Sequence, residues 1–258
     1  MNEVTHFFDD VTLLVTHYNR SKSLERLLQS FKNLNCLFED IVVSDDGSKP
    51  EHLNYITELQ NSYAFRLILT PVNKGLGNNI NKGQDAVKTK YTLYVQEDFE
   101  PAADFALHFI DAVNIMQEKP GLDMIRFYAY FKYPYLKPYR NGFSEMQFKW
   151  WLPGYKKFYY YSDHPHLRKS NFFEKFGRYP EGVKGDVTEY RMMMSFIKEK
   201  GKAMFYEDYK GLFFQKNSSD EPSTMKRNFW RENNNIFVHL LRETYRHFKF
   251  NYDLFLGH

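Results

Sequence analysis

Residues 11–20 have the sequence Val-Thr-Leu-Leu-Val-Thr-His-Tyr-Asn-Arg. The first six form a β-branched, apolar run typical of a buried strand, and the polar residues after it predict a turn. Two further runs end in the same way: 41–43 is followed by Ser-Asp-Asp-Gly-Ser at 44–48, and 91–95 by Gln-Glu-Asp at 96–98. Open α/β sheets bind their ligands at the carboxyl ends of parallel strands. The sequence therefore predicts that these three polar segments meet at one edge of a sheet.

Helical patterns separate these strands. Apolar residues recur at helical spacing from Leu24 to Leu34, with Ser21 or Ser23 expected as the N-cap. Further helices are expected over 50–60, over 77–87 and from Pro101 to Gln117, and a further strand over 65–69. This order is typical of an α/β fold with a mostly parallel sheet flanked by helices.

The pattern breaks near Pro120. Residues 120–180 are rich in Tyr, Phe, Pro and Lys and show no clear period. A helix is expected again over 187–200, a strand over 203–206 and a basic, aromatic helix over 225–250. We expect one domain over 1–258, with a nucleotide-binding half at 1–118, a smaller acceptor-binding half at 119–222 and a C-terminal helical tail at 223–258.

Composition limits the class of protein. The chain has 258 residues, 43% hydrophobic and 26% charged, which is typical of a soluble globular protein. No run approaches the ~20 apolar residues of a membrane-spanning helix, and the N-terminus lacks the pattern of a signal peptide. The single cysteine, Cys36, is expected to be a buried bystander and fits a cytoplasmic location. A net charge of +3 gives no reason to expect a nucleic-acid partner.

The two acidic segments suit a nucleotide that carries a charged diphosphate. The Asp46 carboxylate can accept the N3–H of uracil while the ring of Tyr18 stacks on the base, although turn capping alone also explains an Asp-Gly-Ser turn. Glu97 and Asp98 offer the oxygen ligands that Mg²⁺ or Mn²⁺ prefers, and a solvated acidic loop is the alternative.

As an ordered set, Thr-x-Tyr-Asn-Arg at 16–20 and the segments 44–48, 73–83 and 96–98 resemble the inverting family-2 glycosyltransferases of the GT-A fold. The resemblance implies that Asp98 and Glu97 hold the metal, although Gln96 replaces the first acid of the family's Asp-x-Asp motif. It also implies a set of donor-nucleotide contacts: Thr16, Tyr18, Arg20, Asp46, Asn73, Gly75 and Asn81.

Residues 183–191 resemble the stretch in which the family carries its general base. Asp186 matches that base, Gly185 stands where Glu is usual, and Glu189 is the second candidate. An inverting transfer needs one carboxylate that takes the proton of the acceptor hydroxyl. The alternative is structural, with Asp186 as an N-cap and Glu189 as its capping-box partner. Gln215 stands where the family often has a His.

Aromatic residues of the second half have two expected uses. By family resemblance Trp150, Trp151 and Tyr155 shape the acceptor site, where rings can stack on sugar faces, and packing inside the protein is the alternative. The C-terminal stretch interleaves aromatic residues with cations from Lys226 to Lys249. Such a helix can make peripheral contact with an anionic membrane, or pack on its own domain.

The resemblance implies transfer of a sugar, with inversion, from a nucleoside-diphosphate donor (UDP is expected) to a glycan or lipid-linked acceptor. It implies a Mn²⁺ or Mg²⁺ cofactor and a setting in cell-surface polysaccharide synthesis, at the inner face of the cell membrane. Two alternatives stay open. A sugar-nucleotide nucleotidyltransferase is disfavoured because residues 17–20 contain no glycine, and an inactive carbohydrate-binding protein is suggested by Gln96, Gly185 and Gln215.

Overall fold

The computed structural model of the chain describes residues 4–217, 221 and 236–257. The strands of this part are β1 (His6–His17), β2 (Cys36–Asp45), β3 (Arg66–Ile68), β4 (Tyr91–Gln96), β5 (Phe99–Pro101), β6 (Met124–Arg126), β7 (Leu136–Arg140), β8 (Phe143–Met146), β9 (His166–Lys169), β10 (Ala203–Tyr206) and β11 (Phe213–Gln215). Its helices are α1 (Ser21–Asn33), α2 (Pro50–Leu59), α3 (Leu76–Asp85), α4 (Phe105–Glu118), α5 (Phe172–Phe176), α6 (Gly185–Lys198) and α7 (Ile236–Phe255), and Tyr155–Phe158 form a 3-10 turn.

Within these residues, one nine-stranded sheet runs through both halves of the chain in the order β3-β2-β1-β4-β9-β6-β10-β8-β7. The first four strands are parallel, as the alternation of strands and helices predicted. Strand β9 then pairs antiparallel with both β4 and β6. The predicted α/β class, with a mostly parallel sheet flanked by helices, is confirmed.

Helices cover both faces of this sheet, and the side chains of β1 show why. Leu13 and Val15 belong to the hydrophobic cluster that includes α1 and α4, whereas Leu14 belongs to the cluster that includes α3 and α6. All three side chains are fully buried. A strand covered on both faces is apolar along its length instead of alternating between apolar and polar residues. This explains the continuous run at residues 11–16.

Several predicted element ends are wrong, including the starts of β1 and β2, which lie about five residues earlier than predicted. Helix α4 begins at Phe105 and not at Pro101, because Pro101 ends β5, which pairs with β11 in a separate two-stranded sheet. Helix α6 begins at Gly185 with Lys184 as its N-cap, so Asp186 is not a cap and the capping box does not form.

Neither serine caps helix α1, whose N-cap is Arg20. The Glu221 carboxylate serves instead. It accepts hydrogen bonds from the Lys22 N–H at 3.0 Å, the Ser23 N–H at 2.9 Å and the Ser23 hydroxyl at 2.6 Å. Two free N–H groups at the start of α1 are thereby satisfied by a residue 198 positions away.

The region without a clear period, 120–180, contributes four strands (β6 to β9) and the short helix α5. Cys36 is buried, as expected. The predicted C-terminal helix is observed as α7, and residues 225–235 of that prediction lie outside the described residues. Among the described helices, none combines the length and apolar character needed to span a bilayer.

Candidate active site

The carboxyl ends of β2, β1 and β4 lie side by side, because these strands are parallel neighbours in register. Hydrogen bonds join the polar segments that follow them: the Asp46 N–H donates to the His17 carbonyl at 3.1 Å, and the Asn19 N–H donates to the Ser48 hydroxyl at 2.8 Å. The three segments therefore share one edge of the sheet, as the sequence predicted.

Two buried side chains, His17 and Asp45, fix the backbone conformation at this edge. His17 Nε2 accepts the Arg20 N–H at 3.0 Å, so its proton lies on Nδ1, which donates to the Asp45 carboxylate at 2.7 Å. Burial lowers the pKa of His17 although Asp45 opposes that shift. Burial would raise the pKa of Asp45, but hydrogen bonds from His17 and Ser48 outweigh it, so the pKa is lowered. Asp45 accepts hydrogen bonds from the Ser48 N–H and hydroxyl, so it caps the turn as the structural alternative predicted, whereas no role was predicted for His17.

Asp46 binds the loop before α3 through two hydrogen bonds. Its two carboxylate oxygens accept the Lys74 N–H at 2.8 Å and the Gly75 N–H at 2.9 Å. Burial raises the pKa of Asp46 although these two bonds oppose that shift. Gly47 has φ +69°, and a Cβ there would lie 2.4 Å from the Val72 carbonyl carbon. Only glycine fits, so the Asp-Asp-Gly-Ser turn and the loop are docked against each other.

The other expected donor contacts are distributed around this loop. Tyr18 is half-buried, Asn73 is exposed, and Gly75 has φ +87° at the start of α3. Thr16 is buried, with its hydroxyl 3.0 Å from the Tyr94 hydroxyl.

Asn81 does not have the expected place. It is 1% exposed, its amide donates to the Tyr179 carbonyl and to Glu181, and its carbonyl oxygen accepts the Tyr179 N–H. Because its side chain is fully engaged inside the protein, Asn81 fixes the segment 179–181 on α3 and does not face a ligand.

Asp98 lies beside a buried arginine. Arg20 Nη1 is 3.1 Å from Asp98 Oδ2 and 3.6 Å from Glu97 Oε1, and Gln215 Nε2 donates to Asp98 Oδ2 at 2.9 Å. Burial, and after it the charge of Asp98, raises the pKa of Glu97 to about 8. Asn217 and the Glu221 carbonyl accept from the other end of Arg20. The guanidinium thus holds the predicted metal segment and the segment after β11 together.

The residues around Asp98 fit a divalent cation that shares its ligands with a substrate. The described residues contain no group of three or more His, Cys, Asp and Glu side chains that could hold a metal by themselves. Magnesium, however, is commonly held by one or two carboxylates together with substrate phosphates. Asp98 Oδ1 is buried and has no hydrogen-bond partner among the described residues. That oxygen is suited to such a cation.

A wall of aromatic residues leads from Asp98 toward α6. Gln215, which donates to Asp98, accepts a hydrogen bond from the Tyr130 hydroxyl at 3.2 Å. The Tyr130 ring packs edge-on against His164 at 4.6 Å between centroids. Burial, and after it the charge of Arg126, lowers the pKa of His164 to about 3, so this ring is neutral. His164, and with it the preceding residue Asp163, is thus linked to the acidic segment by a series of side-chain contacts.

Asp163, which is buried and directly precedes His164, forms a pair of acids with the half-buried Glu189. The Asp163 N–H donates to Glu189 Oε1 at 3.1 Å, and the Tyr161 hydroxyl donates to Asp163 Oδ1 at 2.6 Å. Asp163 Oδ2 is buried without a hydrogen-bond partner among the described residues. Burial raises the pKa of both carboxyls, and each of them lies in reach of an arginine, Arg168 for Asp163 and Arg126 for Glu189. Sequence reasoning missed Asp163, because a single Asp in an aperiodic segment carries no signal.

The remaining expected residues lie elsewhere on the second half. Asp186 is exposed on the first turn of α6. Tyr155 is buried against Phe250 of α7, so it packs inside and does not offer an open acceptor surface. Trp150 and Trp151 are exposed, and their role at an acceptor stays a prediction.

An α/β sheet with an acidic segment at the carboxyl end of its fourth strand has the architecture of the open sheets that bind ligands at this edge. The family model for glycosyl transferase family 2 matches residues 12–193, more than half of the chain. The chain belongs to this glycosyltransferase family.

Curated relatives match over shorter stretches. A cholesterol galactosyltransferase of Borreliella burgdorferi is 24% identical over 98 residues, which are 38% of this chain and 27% of the relative. A poly-β-1,6-N-acetyl-D-glucosamine synthase of Staphylococcus epidermidis is 24% identical over 90 residues, 35% of this chain and 22% of the relative. The matched stretches thus span about a quarter of these relatives' length.

Solved structures support the fold along most of the chain. S. aureus TarS 1–349 in complex with UDP-GlcNAc has a TM-score of 0.61 at 16% identity and covers 95% of this chain and 76% of its own. The mannosyltransferase PcManGT of Pyrobaculum calidifontis, in complex with GDP-Man and Mn²⁺, has a TM-score of 0.51 at 15% identity and covers 78% of this chain and 55% of its own. The GT-A fold implied by the resemblance is confirmed.

Proposed function

We propose that the chain transfers a sugar from a nucleoside-diphosphate donor, UDP in the first instance, to a hydroxyl group of a glycan or lipid-linked acceptor, with inversion at the anomeric carbon. The observation that carries the proposal is the single sheet edge shared by residues 16–20, 44–48 and 96–98. Contacts through Gln215, Tyr130 and His164 lead from Asp98 to the residue before His164, Asp163, which pairs with Glu189. This series of contacts supports a donor site and a base that lie in one cleft.

On the donor side, Tyr18 would stack on the base beside the turn that Asp46 holds, with Asn73 and Gly75 at the rim. Arg20 would add its charge to the diphosphate end, because its guanidinium already lies against Asp98 and Glu97. Asp98 would hold Mg²⁺ or Mn²⁺, which when bound offsets the negative charge of the departing nucleoside diphosphate. These assignments follow the family match and the contacts described above.

For the base we propose Glu189 ahead of Asp186. Glu189 faces inward against Asp163 and is raised in pKa by burial, whereas Asp186 is exposed. A base is most effective when its pKa lies near the working pH. The Glu189 carboxylate takes the proton of the acceptor hydroxyl, and the hydroxyl oxygen forms its bond to the anomeric carbon. The bond from that carbon to the diphosphate oxygen breaks on the opposite side, which inverts the configuration.

The acceptor class is inferred from the two curated relatives. One is named for transfer to cholesterol and the other for synthesis of a polysaccharide, so a lipid or a growing glycan is the appropriate class to test. Both choices agree with a role in cell-surface glycan or glycolipid synthesis at the inner face of the cell membrane.

Initial-rate measurements with a panel of UDP- and GDP-sugars and Mn²⁺ test this function. We expect slow release of one nucleoside diphosphate without an acceptor and faster release with a glycan or lipid acceptor. The NMR signal of the anomeric proton should show that the product has the opposite anomeric configuration to the donor. Release of pyrophosphate from a nucleoside triphosphate and a sugar phosphate would instead show a nucleotidyltransferase. Absence of turnover with every donor, despite tight nucleotide-sugar binding, would favour the inactive carbohydrate-binding alternative.

A further inference from the structure

Helix α7 is attached to the protein by one of its faces. Phe250 is buried, with its ring 5.4 Å from that of Phe158 and 5.1 Å from that of Tyr190. Arg246 Nη1 donates to the Tyr155 hydroxyl at 3.3 Å on the same side. These contacts fix how the helix is rotated, and therefore which residues face outward.

The outward side of α7 is apolar. Five large side chains repeat at intervals of four, three, four and three residues, and every one is at least 59% exposed. They are Leu241, Tyr245, Phe248, Tyr252 and Phe255. This spacing places them on one strip of the helix about 100° wide. Soluble monomers rarely expose an apolar strip of this length without a partner.

Two tryptophans extend this strip. The Trp150 ring packs edge-on against Phe255 at 5.5 Å, and Trp151 packs against Trp150 at 5.7 Å. They are 52% and 62% exposed. We call the five outward residues of α7 together with Trp150 and Trp151 the aromatic face.

Cations border the aromatic face. At 100° per residue, Arg242 and Lys249 lie along one flank of the strip, where Asp253 pairs with Lys249. Lys149 is 5.6 Å from the Trp151 ring at the other end. The border therefore carries more positive than negative charge.

We propose that the aromatic face seats on an anionic lipid surface, with α7 lying in the plane of the membrane. Tyr and Trp rings suit the headgroup level of a bilayer, and the bordering cations suit anionic lipids. A second copy of the chain fits less well, because paired helices with this spacing use branched aliphatic residues at the seam. This surface is independent of the proposed transfer reaction and goes beyond it.

Vesicle co-sedimentation of the full chain tests the proposal. We expect binding to vesicles that contain phosphatidylglycerol and weak binding to pure phosphatidylcholine. Phe248→Ser and Leu241→Ser should each weaken partitioning about tenfold or more, because each removes one large apolar side chain from the contact. Leu107→Ser is the matched control: Leu107 is 64% exposed on α4, away from the aromatic face, and its loss should leave binding unchanged.

Three results would overturn the proposal. Equal binding to both kinds of vesicle would reject the anionic surface, and equal weakening by Leu107→Ser would reject the aromatic face as the contact. A doubled mass in sedimentation velocity that Phe248→Ser abolishes, with no vesicle binding, would show a second copy as the occupant. Nucleotide binding measured on the same samples separates these results from a failure of the proposed function, since it is expected to be unchanged in all three variants.

Discussion

The pair formed by the buried Asp163 and the half-buried Glu189 is costly for the folded protein unless a ligand completes its hydrogen bonds. The Asp163 N–H donates to Glu189 Oε1, and Asp163 Oδ2 has no hydrogen-bond partner among the described residues. A buried acceptor without a donor costs about 1–3 kcal/mol. An incoming acceptor hydroxyl would supply that donor, so this pair is the place where we expect the acceptor oxygen to bind.

The first prediction concerns Glu189. Replacing it by Gln keeps the shape of the side chain and removes the base, so turnover should fall by about 10²-fold or more while donor binding is unchanged. Asp186→Asn is the comparison, for which we expect a much smaller loss. Initial rates and calorimetric titration with the donor nucleotide measure both quantities. A larger loss of turnover in Asp186→Asn than in Glu189→Gln would show that Asp186, and not Glu189, is the base.

The second prediction is a pH dependence set by Asp163. Burial first, and then the charge of Asp163, raises the pKa of Glu189, while Arg126 lowers it and Asp186 raises it. Asp163→Asn removes one of the charges that raise this pKa, so Glu189 should lose its proton at lower pH. The acidic limb of the kcat/KM profile should move to lower pH in this variant. A purely structural role for Asp163 would reduce activity at every pH and leave the limb in place.

At the scale of elements, the sequence predicts the presence of strands and helices better than the residues at which they begin and end. The apolar runs and helical spacings of the first hundred residues give β1, α1, β2 and α2 directly. The predicted N-cap of α1 is wrong because the capping carboxylate belongs to Glu221. This residue lies almost the whole chain away from α1 and leaves no signal in the local sequence. The predicted start of α4 is too early because Pro101 suits the end of a strand as well as the first turn of a helix.

The third prediction tests this distant cap. Glu221→Ala removes the acceptor of two N–H groups of α1, and we expect a loss of about 1–2 kcal/mol in the free energy of unfolding. Burial would raise the pKa of Glu221, but hydrogen bonds from Ser23 and Lys22 outweigh it and lower the pKa. The contribution is therefore present above the unfolded-state pKa and lost as pH falls through the folded one. Urea denaturation should show the variant and the parent converging below pH ~4. A difference that persists unchanged in acid would mean that the charge of Glu221 is not involved.

In the second half, the strand predicted over 203–206 is observed as β10 (Ala203–Tyr206). The other strands of that half could not be predicted, for a related reason. Strands β6 and β9 have only three and four residues, and β9 enters the sheet between β4 and β6 from a distant position in the chain. Pairings of this kind depend on tertiary contacts and leave no local period. The same holds for the site: Asp46 and Asp98 follow recognisable strands, whereas Asp163 lies in a segment that only the fold brings to α6.

For the molecule as a whole, Arg168 connects the two halves at the middle of the sheet. It lies on β9 and is fully buried. Its guanidinium donates to Gln84 Oε1 of α3 at 2.8 Å and to the Tyr179 hydroxyl at 2.9 Å, and it lies over the ring of Tyr94. Residues 1–118 and residues 119–222 therefore share one buried cation.

The last prediction is that the two halves unfold together and that Arg168 contributes to this coupling. Arg168→Met leaves Gln84 and Tyr179 without their charged partner, so we expect a loss of about 3 kcal/mol. Arg178→Met is the control, because Arg178 pairs with Asp85 at the surface, where an ion pair is worth at most about 1 kcal/mol. All three tryptophans follow residue 119, so their emission reports the second half, while nucleotide binding reports the first. Both signals should be lost at one urea concentration, lower in Arg168→Met than in Arg178→Met. Two separate midpoints in the parent would mean that the continuous sheet does not make the chain a single cooperative unit.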